Sequence, residues 1–245
     1  MIELVQNLFA PPRHLILLVI ALWIGWGMSE KHAKRENLVN EAAFSNLMFY
    51  GLLAFVIGGR VLYALDHFEI FSRAPASLFS PNPQLFDAFF GGAAAIVTML
   101  VYGQRAQLPF WHTLDALTSL LATLMVGLGA AHLAEGSAFG RETSLPWGID
   151  VNGMTRHPSQ IYEIAFAIFI FGLVGQRAPF PVAGIRFLSF LAWTSTARLF
   201  LEAFRGDSVL VFGSLRLGQI LAWVVLAIAL VGLSRLQSNQ RTTTQ

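Results

Sequence analysis

The chain has 245 residues, of which 55% are hydrophobic and 12% charged, with a formal net charge of +2. Soluble domains carry about 25% charged residues, so the composition excludes an ordinary soluble protein and points to one embedded in a membrane. The absence of cysteine excludes disulfides, a thiolate nucleophile and cysteine metal sites, and basic residues scattered between apolar runs argue against nucleic acid as a partner.

Residues 1–12 read as a mildly amphipathic arm, with Ile2, Leu4, Val5, Leu8 and Phe9 placed to lie on a membrane surface. The apolar run from Leu15 to Met28 is too long for a typical signal peptide, lacks a small-residue cleavage site and follows an acidic start, so it reads as a retained first span. Further spans fall at 44–65, 85–103, 113–135, 158–175, 183–203 and 214–236, each near the ~20 residues a bilayer requires. The expected fold is all-α: one polytopic membrane domain of about seven transmembrane helices, with a long connection at 136–157 and a polar tail at 237–245. The small residues of Gly91-Gly92-Ala93-Ala94-Ala95 would let helix backbones approach closely. Asp87 and Asp115, near helix starts, read as charge complements to the helix dipole.

Orientation follows from the basic residues. Lys31, Lys34, Arg35, Arg105, Arg177, Arg186, Arg235 and Arg241 occupy alternate connections and the tail. Those segments are expected on the cytoplasmic side, which puts the N-terminus outside and the C-terminus inside. The longer connections, 66–84, 136–157 and 204–213, then face outward.

The charges inside or at the edges of the spans gather toward those outer ends. Arg156-His157-Pro158-Ser159-Gln160-Ile161-Tyr162-Glu163 puts a row of hydrogen-bonding side chains on the first turns of an apolar segment, where unpaired polar groups are costly. Pro158 is expected as the first helical residue. Arg198, Glu202 and Arg205 are spaced i, i+4, i+7 and are expected on one helix face; Arg198 with Glu202 can equally be a structural ion pair, and Arg205 can snorkel to the interface. Arg60, after Gly58-Gly59, has no local partner in the sequence. Arginine offers a planar fork of donors that suits phosphate oxygens, so a phosphate-bearing lipid is the natural ligand. The six histidines, at 14, 32, 67, 112, 132 and 157, show no paired metal spacing, and no metal is expected. Seven spans without a repeat do not favour a typical transporter, and both lysines lie in one connection, which leaves no membrane lysine for a retinal Schiff base.

His157-Pro158-Ser159-Gln160-Ile161-Tyr162-Glu163, together with Gly58-Gly59-Arg60, the segment from Gly140 to Trp147, Glu202-Ala203-Phe204-Arg205 and Leu217-Gly218-Gln219, resembles the bacterial prolipoprotein diacylglyceryl transferase family in motif content and order over nearly the whole chain. The resemblance implies transfer of an sn-1,2-diacylglyceryl group from phosphatidylglycerol to the lipobox cysteine thiol of a preprolipoprotein in the bacterial inner membrane, releasing glycerol phosphate, with no cofactor. It also implies roles. Arg60, Arg198 and Arg205 would hold the lipid phosphate, Glu163, Glu202 or a histidine would take or relay the thiol proton, and Arg141, His157, Gln160, Tyr162 and Gln219 would contact substrate. The chain differs from the family pattern at Phe90, which precedes Gly91-Gly92 where the family has histidine, at Leu15-Ile16-Leu17 in place of a Tyr-Gly, and at Gly129 and His132 in place of an arginine and an asparagine. His132 and Glu135 are the candidates to supply a replacement base and anion partner. The alternative reading is a catalytically altered relative that binds phospholipid or transfers a headgroup to another acceptor.

Overall fold

The computed structural model describes residues 8–9, 13–35, 40–80, 82–151, 153–175, 182–211 and 213–243. The surface arm at 1–12, apart from residues 8 and 9, and Arg177 lie outside the described residues. In chain order the helices are α1 (Leu15–Arg35), α2 (Glu41–Asp66), the short α3 (Phe68–Arg73), α4 (Ala88–Arg105), α5 (Phe110–Glu135), α6 (Ser159–Val174), α7 (Ile185–Glu202) and α8 (Leu217–Thr243). Two small hairpins interrupt them, β1 (Ile149–Val151) with β2 (Met154–Arg156) and β3 (Leu210–Val211) with β4 (Leu215–Arg216).

Apart from α3, each helix coincides with one of the seven apolar runs. Four of them, α1, α2, α5 and α8, are long and apolar enough to cross a membrane. The 16 residues of α6 rise only ~24 Å at 1.5 Å per residue, short of a ~30 Å hydrocarbon core. The outer surface is apolar as well: on α8, Trp223, Val224, Ile228 and Val231 are exposed, a face that suits lipid rather than water.

The chain divides into two compact units, residues 33–113 and residues 1–32 with 114–245. In the first, α2 and α4 cross at their glycines. A methyl on Gly91 would lie 2.7 Å from the carbonyl oxygen of Phe55, and one on Gly58 would overlap Ala94. Asp87 caps α4 as expected, accepting from the backbone N–H groups of Phe89 at 2.7 Å and Phe90 at 3.0 Å.

In the second unit α1 and α5 meet at Gly25 and Gly127, and the backbone N–H of Leu120 donates to Ser29 Oγ at 3.0 Å. An apolar core of Ala122, Ile170, Val174, Phe190 and Ala197 joins α5, α6 and α7. Asp115 corrects the sequence reading. It lies within α5 and caps a different helix, accepting from Gly184 N–H at 2.6 Å and Phe187 N–H at 2.8 Å at the start of α7. Pro158 likewise sits at the N-cap rather than inside α6.

Candidate functional site

The site is built in the second unit, where the last turn of α5, the second turn of α6 and the end of α7 come together. His132 closes the run of small and apolar residues that ends α5, and its Nδ1 lies 2.9 Å from Glu163 Oε2 on α6. The other oxygen of Glu163 accepts from Arg205 Nη1 at 3.0 Å and lies 3.9 Å from Arg198 Nη1. Arg198 Nε in turn lies 3.1 Å from Glu202 Oε2 one turn further along α7. These five residues, all singled out from sequence, form one connected cluster.

Arg205 reaches it by a route the spacing did not show. The helix stops at Glu202, so the i, i+7 face is not formed; Arg205 lies in the following turn, paired across a β-bridge with Gly140. There Asp207 takes both Nε and Nη2 of Arg205 at 2.9 Å each. Burial lowers the Arg205 pKa, but the hydrogen bond and charge of Asp207, with the charges of Glu163 and Glu202, outweigh it and hold the pKa above the ordinary arginine value. Arg205 is therefore a fixed cation at any working pH.

Glu202 is buried, at 2% exposure, and its carboxylate packs against the first turn of α8, where a methyl on Gly218 would lie 2.7 Å from Oε2. A carboxylate at a helix N-terminus is favourable. Arg216 secures the same corner by donating to the carbonyls of Glu202 and Arg205 and to Ser208 Oγ. Asp207 and Arg216 were missed as site residues; the close Arg-x-Asp spacing at 205–207 was the one local signal for the first, and nothing local marked the second.

Beside this cluster opens a cavity of about 290 Å³. Its ionisable lining residues are His132, Glu163 and Arg198; the rest of the wall is mainly Met125, Leu128, Leu201, Ala222 and Val225, with Gly129 one turn before His132. Arg198 is 43% exposed along its side chain and contacts carboxylates only through Nε and, loosely, Nη1 among the described residues. Its terminal nitrogens are left to meet an anion entering the cavity.

The remaining candidates are placed differently. The long connection at 136–157 contributes to a sheet-like layer: His157 N–H donates to Arg141 O at 2.9 Å, Arg141 N–H to Phe204 O at 2.8 Å and Gly206 N–H to Phe139 O at 3.0 Å. Gln160 is buried and donates to Ser137 O at 2.8 Å. The ring of His157 packs edge-on against Phe204 and Tyr162, and Tyr162 Oη accepts from Trp147 Nε1 at 2.9 Å. The Arg141 side chain is exposed. Gln219 reaches Leu199 O at 3.5 Å. Glu135 is exposed and accepts from Ser137 Oγ, outside the cluster.

Arg60 belongs to the other unit, and far from lacking partners it uses all five N–H donors on backbone carbonyls: Nε on Leu78, Nη1 on Asn82 and Leu85, Nη2 on Ser77 and Ser80. In this state it organises the 74–86 connection. Lysine has three donors and no planar fork. Arg60→Lys is therefore expected to cost on the order of 2 kcal/mol through unsatisfied carbonyls and to open 74–86 to limited proteolysis, with the cleavage rate as the measurement.

The helices and this cluster together define a helical membrane protein with an arginine-and-carboxylate site on an apolar cavity of lipid-handling character. The family model for prolipoprotein diacylglyceryl transferase matches residues 14–235, and the chain belongs to that family. Similar proteins include the phosphatidylglycerol–prolipoprotein diacylglyceryl transferases of Aromatoleum aromaticum, 27% identical with 92% of this chain and 89% of the relative covered, and of Nostoc sp., 27% identical with 92% and 85% covered. That of Pseudoalteromonas atlantica is 30% identical over 78% of this chain and 69% of its own length.

Proposed function

We propose that this protein transfers the sn-1,2-diacylglyceryl group of phosphatidylglycerol to the lipobox cysteine thiol of a preprolipoprotein signal peptide, releasing glycerol phosphate. The observation that carries the reading is Arg198: a half-exposed guanidinium on the wall of an apolar cavity, held from behind by Glu202 and beside the Glu163–Arg205 pair. The apolar wall suits acyl chains, and the cation suits the phosphate ester that must leave with added negative charge. The attacking sulfur belongs to the substrate, so a chain without cysteine is sufficient.

The protein would be a single polytopic domain of the bacterial inner membrane with seven spans, N-terminus outside and C-terminus cytoplasmic. Among the described residues, seven helices of 16 residues or more, with Lys31, Lys34 and Arg35 at the end of α1, Arg105 at the end of α4 and Arg235 in the later part of α8, support this topology. Because the chain has no cysteine, single cysteines report topology cleanly. In intact cells Ser144→Cys is expected to react with an impermeant maleimide, and Ser238→Cys only after permeabilisation; the reverse pattern would invert the orientation.

The transfer itself is tested with purified protein in micelles containing phosphatidylglycerol and a synthetic lipobox peptide, read by mass spectrometry of the peptide. The expected product is the thioether-linked diacylglyceryl peptide with an equivalent of glycerol phosphate. Bound phosphatidylglycerol without product would favour the altered relative that acts on another acceptor.

A further inference from the structure

Building on that reading, we infer that His132 is the general base that takes the proton of the incoming thiol, with Glu163 as the positioning residue that fixes its ring. The juxtaposition is that of a nucleophile-activating pair. A carboxylate accepts hydrogen bonds and cannot donate them, so at 2.9 Å Glu163 Oε2 takes the proton-bearing Nδ1 of His132. Nε2 is then the ring's lone-pair nitrogen, and it has no protein partner among the described residues. The ring lines the cavity with its side chain 24% exposed, so a substrate thiol can reach it. Glu163 is in turn anchored through its other oxygen by Arg205 at 3.0 Å, which holds the carboxylate, and through it the imidazole, in one orientation.

The other candidates are less well placed. Both oxygens of Glu163 are occupied, by His132 and Arg205. Glu202 is buried behind Arg198 and does not line the cavity. Glu135 is bonded to Ser137 away from the cluster. His157 has its Nδ1 buried and its ring packed against Tyr162 and Phe204. Among these candidates, as described, His132 is the one that combines a partner-free ring nitrogen, an orienting carboxylate and a place on the cavity wall beside Arg198.

The step balances as follows. The thiol S–H gives its proton to His132 Nε2, and the thiolate sulfur forms a bond to the glycerol carbon that carries the phosphate ester. The C–O bond of that carbon breaks, and its electron pair leaves on the phosphate oxygen facing Arg198. The proton held by His132 then passes to the departing phosphate monoester, directly or through water, and the neutral ring is restored.

The test is the pH dependence of kcat/KM for peptide transfer by the full-length protein, compared with His132→Gln, His132→Ala and Glu163→Gln. General-base catalysis contributes about 10²- to 10⁴-fold, so both His132 variants are expected to lose about that factor. Their residual rates should follow the ionisation of the peptide thiol itself, and added imidazole should raise the rate of His132→Ala. Glu163→Gln should lose activity with the basic nitrogen still present. Retention of wild-type rate within threefold in both His132 variants, or loss with an unchanged pH profile and no imidazole response, would overturn the assignment. Wild-type protein that forms no product would instead defeat the transfer reading, and the base assignment with it.

Discussion

Replacing Arg205 by alanine is expected to reduce peptide diacylglyceryl transfer by about 10²-fold, the sensitivity of positioned groups to shifts near 1 Å, because Arg205 holds Glu163 and through it His132. Arg205 is 13% exposed and stands between two carboxylates, Glu163 at 3.0 Å and Asp207 at 2.9 Å. Without it Glu163 keeps, among the described residues, only Arg198 at 3.9 Å as an arginine neighbour, and Asp207 loses a bidentate partner. Uncompensated charge in so enclosed a place costs on the order of 3 kcal/mol, so the thermal unfolding midpoint should fall as well. Arg205→Lys separates the two effects. It restores the charge but cannot serve Asp207 through two nitrogens and Glu163 through a third in the same geometry, so stability should recover more than activity. Equal transfer by Arg205→Ala and wild type would remove Arg205 from the site.

The positions of these residues along the chain show how far local sequence can be read. Long apolar runs set the seven longer helices among the described residues, because a run of that length with so few charges has few other folded states. Asp87 announces a helix start that the structure realises, accepting from the N–H groups of Phe89 and Phe90. The polar run opening α6 and the charged end of α7 marked the site, since ionisable residues in apolar segments seldom lack a task. What the sequence could not show is each side chain's distant partner. His132 and Glu163 are 31 positions apart, and the five carbonyls around Arg60 are spread over 77–85. Asp115 caps a helix that begins about 70 residues later. The break after Glu202 has the same origin: the backbone of 204–206 bonds to 139–141, and a tertiary strand contact overrides the helical spacing of Arg198, Glu202 and Arg205.

That contact makes Gly140 the second position of large expected effect. Segments 139–143, 155–157 and 204–206 run side by side, and a methyl on Gly140 would overlap the His157 carbonyl oxygen and lie 2.7 Å from His157 Cβ. Neither neighbour is the soft end of a side chain. The backbone must therefore move, against His157 N–H to Arg141 O and Arg141 N–H to Phe204 O on one flank and against Gly206 on the other. The displacement passes directly to the site. Ser159 donates to Ala138 O and Gln160 to Ser137 O, so the start of α6 is tied to this layer, and Glu163 follows one turn later. Gly140→Ala is expected to cost about 1–3 kcal/mol by overpacking and to cut transfer by about 10²-fold, the sensitivity of positioned groups to shifts near 1 Å. Gly136→Ala is the matched comparison: that glycine has a φ of +78° but open space around it. The variant there should lose about 1 kcal/mol of stability to backbone strain while keeping transfer near wild type. If Gly140→Ala and Gly136→Ala proved equally active, the layer would be decoupled from the His132–Glu163 pair, and the path from Gly140 through α6 to the carboxylate would have to be abandoned.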